Sequence, residues 1–169
     1  MDTITAIMNR RSIRKFVPRA IPDDDLRTIV EAGRQAPSAA NRQPWHFVVV
    51  REEEQRRRLA EACSGQMWLA DAGAIIAGVG KPGVNEKWYP VDVAIALQNM
   101  IVAATALGYG TCWIGAFEEA KVKEVLEIPE DLRVVALTPV GVPNDKPDRR
   151  PRMPMEEFAS LDRYGHSMK

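Results

Sequence analysis

Two arginine clusters stand far apart in this sequence, and each has the composition of an anion site. The first is Arg10-Arg11-Ser12-Ile13-Arg14. A guanidinium presents a rigid fork of donors that matches two phosphate oxygens, and a serine hydroxyl adds one more. The second is Arg149-Arg150-Pro151-Arg152. Either cluster by itself reads first as solvated surface, because exposed cations are the default. Two further stretches suit a flat ligand. Pro37-Ser38-Ala39-Ala40-Asn41-Arg42-Gln43-Pro44-Trp45 is stiffened by its two prolines, and its small residues and amides can approach the edge of a heteroaromatic ring. Its plainer reading is a connecting turn. Gly110-Thr111-Cys112-Trp113-Ile114-Gly115-Ala116 offers glycines that let backbone N–H groups come close to a ligand. Within it, Trp113 reads first as a core aromatic and second as a stacking surface.

Other chemistries find less support. Gly78-Val79-Gly80-Lys81-Pro82-Gly83 has the spacing of a dinucleotide fingerprint, but Pro82 and Gly83-Val84-Asn85 open no apolar-periodic helix, so the segment reads as a loop. The only histidines, His46 and His166, are isolated, which argues against a metal site. Cys63 and Cys112 have neither metal nor redox spacing. Cys112 lacks a histidine partner in sequence and reads as a small buried residue. Lysine plus arginine balances aspartate plus glutamate at 23 each, so no global field favours nucleic acid or an anionic membrane. Two unspaced thiols and an N-terminus without a signal pattern predict a cytoplasmic protein.

These stretches need elements to position them. With 169 residues, 46% of them hydrophobic, the chain fits one domain. A helix is predicted from the N-cap Asp2 to Asn9, and a second opens at Pro22 with Asp23, Asp24 and Asp25 and closes at Gly33 and Pro37. His46–Arg51 and Gly73–Val79 read as buried strands, with a charged helix over Glu52–Cys63 between them. A long helix is predicted from Pro90 to Gly108. It is apolar on nearly all sides, which implies burial all round, in a core or between subunits. It carries Asp92, Gln98 and Asn99 and is rich in alanine, so it reads as a buried helix and not a membrane span. A short strand over Thr111–Gly115, a helix over Glu118–Leu126 and a last strand over Leu132–Val142 complete an α+β pattern. The tail 143–169 is too long and too charged to serve the core, and is expected to cross to something else.

Taken in order, these features resemble the FMN-dependent nitroreductase family, the NAD(P)H nitroreductase-like flavoproteins. The residues that carry the resemblance are Arg-Arg-Ser-Ile-Arg after the first helix, the Pro37–Trp45 loop and the helix Val91–Leu107. The run Leu107-Gly108-Tyr109-Gly110-Thr111-Cys112-Trp113-Ile114-Gly115 and the closing Arg150-Pro151-Arg152 complete the set. The resemblance spans essentially the whole chain, 1–169. It implies a three-layer fold with a small, mainly antiparallel central sheet flanked by helices, forming an intertwined homodimer whose tails, 143–169, cross between subunits. By the same resemblance Arg10, Arg11, Ser12 and Arg14 line the phosphate, ribityl chain and pyrimidine edge of FMN, and Arg150 and Arg152 complete the phosphate site. Ile114 and Gly115 lie by the isoalloxazine near N5, and Pro37, Ser38, Ala39 and Asn41 reach in from the partner subunit. The implied reaction passes hydride from NAD(P)H through the flavin to a small nitroaromatic, quinone or enone by a ping-pong mechanism, with no catalytic side chain required. The chain is short for the family, leaving the Gly80–Tyr89 loop, with Lys87, Trp88 and Tyr89, as the candidate lid. Alternatives are a flavin carrier without turnover, or the same fold applied to dehalogenation or flavin breakdown.

Overall fold

A computed structural model describes residues 1–168. Helix α1 (Thr3–Asn9) begins where the Asp2 carboxylate accepts the Thr5 N–H at 3.0 Å. After β1 (Phe16–Val17), α2 (Asp23–Arg34) sets three aspartates against the positive end of its dipole. β2 (Trp45–Val50), α3 (Glu53–Ala62), β3 (Ala74–Gly80) and α4 (Tyr89–Ala106) follow. β4 (Gly110–Thr111), α5 (Glu119–Leu126), β5 (Arg133–Pro143) and the single turn α6 (Met155–Phe158) complete the chain.

All the strand pairs are antiparallel, in the order β1-β5-β3-β2, with β4 also paired to β5. Every residue of β3 is buried, and its side chains alternate between two cores. Ile75, Ala77 and Val79 pack with Leu59 of α3 and Val122 of α5. Ala74 and Ile76 pack with Ile29 of α2 and with Leu97 and Met100 of α4. Gly78 lets α4 lie flush on the sheet, since a Cβ there would stand 2.7 Å from Leu97 and 2.8 Å from Val93. The result is the expected three-layer α+β arrangement of helices, antiparallel sheet and helices.

The structure corrects several expectations. Gly33 does not end α2; it lies inside the helix, buried against Met100. β2 is an edge strand, so His46 is exposed and Phe47, Val48 and Val49 are half-buried. The strand expected over Thr111–Gly115 is only Gly110–Thr111, followed by a separate bridge between Ile114 and Leu137. Helix α4 is long and apolar enough to cross a membrane by length and composition. Its Val93, Ala96, Leu97, Met100, Ile101 and Ala104 are buried in the core. Within one chain this burial is one-sided: Val91 and Ile95 remain 46% and 36% exposed. Trp113 is not a core aromatic either, being 44% exposed.

Candidate functional site

The first arginine cluster is fixed by its apolar members. Ile13 and Phe16 are buried with Ala72, and the Phe16 ring stacks on Trp68 at 6.3 Å. Ser12 forms a parallel bridge with Thr111, and the Ile13 N–H donates to the Thr111 carbonyl at 2.9 Å. This short pairing holds Arg10–Arg14 along the end of β4, with the Arg14 side chain exposed. The second cluster is brought to the same place by β5. The pairing of Phe16 with Pro143, and the Asn144 N–H donated to the Lys15 carbonyl at 2.9 Å, start the tail beside the first cluster.

A cavity of about 250 Å³ forms where they meet. Arg10, Arg11, Ser12 and Arg14 line one side, and Arg150 and Arg152 the other. Pro147 and Asp148, which the sequence reading did not single out, complete its wall. Five guanidiniums thus surround one small space with a single carboxylate, and none forms a salt bridge among the described residues. Like charges so placed repel one another and favour an anion between them. The donor set fits a phosphate. Arg11 differs from its neighbours: its Nη1 donates to the carbonyls of Met8 and Arg10 at 3.0 and 2.9 Å, so part of its fork closes the end of α1. Cys112 beside this cluster has its thiol pushed up by burial, against the opposing pull of Arg14, which suits a structural residue rather than a nucleophile.

Ile114 and Gly115 follow directly from this pairing. The Ile114 N–H donates to the Leu137 carbonyl at 2.9 Å, so that amide belongs to the sheet and is not aimed at a ligand. Gly115 is exposed, and a Cβ there would meet nothing within 4 Å. No contact within the chain therefore explains a glycine at that position.

The Pro37–Trp45 stretch does not line the arginine cavity of its own chain. It is ordered by more than its prolines. A 3-10 turn covers Ala39–Asn41, the Gln43 N–H donates to Ser38 Oγ at 3.0 Å, and the Lys81 N–H donates to the Pro44 carbonyl at 2.9 Å. Ala40, Asn41 and Gln43 all have left-handed backbone, with φ of 52°, 53° and 50°. Each such non-glycine residue costs on the order of 1–3 kcal/mol and persists where the surroundings determine it. Pro37 and Asn41 are exposed, while Ser38 and Ala39 are half-buried. Sequence reasoning missed the anchor of this turn, Asp92 on α4, whose carboxylate accepts the Ala39 N–H. The visible signal was a lone acid in an apolar helix. The loop after β3, once read against a dinucleotide fingerprint, is indeed a turn: Arg42 Nη1 donates to the Val84 carbonyl at 3.4 Å across it.

Comparison with known proteins gives one consistent answer. The model of the nitroreductase family matches residues 7–82 and 68–142. The chain is 35% identical, over 87% of its length and 88% of the relative's, to a protein of Archaeoglobus fulgidus assigned as an NADH dehydrogenase/NAD(P)H nitroreductase. A crystal structure of a nitroreductase family protein from Clostridium novyi superposes with a TM-score of 0.81 at 37% identity, covering 99% of this chain and 97% of that one. The NADPH:FMN oxidoreductase of Vibrio harveyi, solved with NAD+, superposes at 0.87 with 29% identity, covering 96% of this chain and 77% of the longer relative. Fold, converging basic segments and relatives agree, and the chain belongs to the nitroreductase family.

Proposed function

We propose that this protein is an NAD(P)H-dependent flavin oxidoreductase that holds FMN at the arginine cavity. One observation carries the reading: two basic segments from opposite ends of the sequence converge on one small space with the donors for a terminal phosphate. A relative named as an NADPH:FMN oxidoreductase shares the fold across nearly all of this chain, which supports FMN as the ligand. When bound, FMN supplies hydride acceptance at N5 from NAD(P)H and onward reduction of a small nitroaromatic, quinone or enone in the same place.

The chain's own residues bind and orient. Arg10, Arg150 and Arg152, with Ser12, hold the phosphate, and Arg14 faces the pyrimidine edge, where a cation offsets charge that builds on reduction. Arg11 contributes mainly by closing α1 behind them. Ile114 and Gly115 lie along the ring, the glycine leaving room for it. A space of about 250 Å³ is too small to enclose the whole cofactor, so the ring needs a second surface. That surface is the Pro37–Asn41 turn of a partner subunit in a homodimer. Exposed apolar side chains on α1 (Ile4, Ile7, Met8), on α4 (Val91, Ile95) and in the tail (Met155, Phe158, Leu161) support a partner that covers them. The chain acts as one flavin-binding domain in the cytoplasm, with its tail crossing the dimer and the Gly80–Tyr89 loop over the acceptor.

The test is to release the cofactor from purified protein, identify it chromatographically, and add NADH or NADPH to the holoprotein without oxygen. FMN that bleaches on addition is expected. A bound flavin that neither nucleotide reduces would make the protein a carrier, and a colourless chain that cannot be reconstituted would overturn the reading.

A further inference from the structure

Asp92 is the only acidic residue buried as a whole among the described residues, 3% exposed in the first turn of α4. An acid near a helix N-terminus is favourable, but an exposed one serves the dipole without the cost of burial. What burial gives Asp92 is a grip on the neighbouring turn. Both carboxylate oxygens lie within reach of the Ala39 N–H, at 3.2 and 3.3 Å. Directly after Ala39 come the left-handed residues Ala40 and Asn41, and then Gln43. The turn's other ties are internal or lie beyond Asn41. The Asn41 N–H donates to the Ser38 carbonyl at 2.9 Å, the Arg42 N–H to the Ala39 carbonyl at 3.2 Å and the Gln43 N–H to Ser38 Oγ. Arg42 and Pro44 join the turn to the loop after β3 through Val84 and Lys81. Asp92 is the tie that joins the Ala39 end of the turn to α4, so without that acceptor the turn can shift against the helix and carry Ser38 and Asn41 to new directions.

We infer that Asp92 is a positioning residue that sets the Ser38–Asn41 turn in the geometry received by the flavin of the opposite subunit. This rests on the reading that the turn reaches the partner's FMN. Asp92 touches no cofactor itself. Its effect passes through the Ala39 amide and is felt in the other chain's site.

The experiment compares Asp92→Leu, which has similar bulk and no acceptor, with Asp92→Asn, whose amide oxygen still accepts from Ala39. FMN affinity is read by quenching of flavin fluorescence, and the ring's surroundings by visible circular dichroism of the bound flavin. Asp92→Leu should weaken FMN binding about tenfold, the loss of one charge-assisted hydrogen bond, and alter the dichroism. Asp92→Asn should keep both close to the parent. Should Asp92→Leu fail to fold, Asp92→Ala, which favours helix, carries the same expectation. Mixed dimers of Asp92→Leu with an Arg10→Ala/Arg14→Ala chain should hold one flavin as tightly as the parent, because both lesions then fall on one site. A drop in melting temperature with FMN affinity and dichroism unchanged would reduce Asp92 to a helix stabiliser, and mixed dimers with no tight site would place its effect in its own chain. Either result overturns the inference. Replacement of Ser38 and Asn41 without effect on FMN would instead overturn the reading beneath it.

Discussion

Gly110 is pressed against Ile13: a Cβ on Gly110 would stand 2.7, 2.8 and 2.9 Å from Cγ1, Cβ and Cγ2 of that isoleucine. Ile13 is β-branched, buried and bonded through its N–H to Thr111, so it has little freedom to move aside. The arginine segment and β4 are therefore one unit, and the spacing between them sets where Arg10 to Arg14 stand.

Gly110→Ala should displace that segment. Overpacking of this kind costs about 1–3 kcal/mol. The expected result is a lower melting temperature together with weaker FMN binding by titration. Gly115→Ala makes the complementary case, because its Cβ meets nothing in the chain. Its apoprotein should melt as the parent does while FMN affinity falls. An unchanged affinity would remove Gly115 from the ring's surroundings.

Arg152→Ala should mainly loosen FMN, by about ten- to a hundredfold for one charge-assisted bond. Arg14→Ala should also lower the flavin reduction potential, since it removes the cation proposed to face the pyrimidine edge of the reduced ring. Affinity is read by dialysis against dilute FMN and the potential by dye-coupled titration. If neither substitution alters either quantity, the five guanidiniums of the cavity are ordinary solvated surface.

A site built from two chains can be rebuilt from two damaged ones. One variant carries Arg10 and Arg14 replaced by alanine, the other Ser38 and Asn41. Each is expected to be inactive alone. After co-refolding, about half the dimers are mixed, and each has one intact site, so activity should return to about a quarter of the parent. No recovery would mean that each site lies within a single chain.

The alkaline limb of stability has named groups. Burial, and then the hydrogen bond it donates to Asp25, push the Tyr109 phenol from 10.0 up to about 12, and burial pushes the Cys63 thiol from 9.0 up to about 11. Both raised values mean that the fold favours the neutral form. Their contribution is whole below about pH 9 and is lost as pH rises through about 12. Melting temperature should therefore fall across that window. Cys63→Ala should flatten its lower part and Tyr109→Phe its upper part. An unchanged slope in both variants would assign the fall to other groups.

Much of this architecture is legible in the residues. Asp2, the three aspartates of α2 and the unbroken apolar run of β3 act through local rules, and each element stands within a residue or two of where those rules put it. The arginine clusters are equally visible, because their signal is a run of one residue type. Whether they meet is not local: it depends on Phe16 pairing with Pro143 and on Asn144 reaching Lys15. Asp148 enters the cavity only through that long-range pairing, and the turning back of Arg11 onto Met8 depends on how α1 ends. Composition could not say which side of α4 faces its own core, since alanine, valine and isoleucine suit a core and an interface alike. Asp92 stood out as an acid among apolar neighbours, but its partner lies 53 positions away, across a contact that no periodicity encodes.

The position of β5 also has a consequence for the order in which the molecule can be made. This strand pairs with β1, β3 and β4 and bridges to Ile114, so it is the common neighbour of most of the sheet. Synthesis proceeds from the N-terminus, and long-range pairings are slow to form. The arginine segment, made well before β5, has no settled place until residues 133–143 emerge. Until then β1 and β4 lack their partner, and the apolar face of α4 has only part of a sheet to cover it. The nascent chain is thus one whose sheet and arginine cavity can close only after β5 has been made.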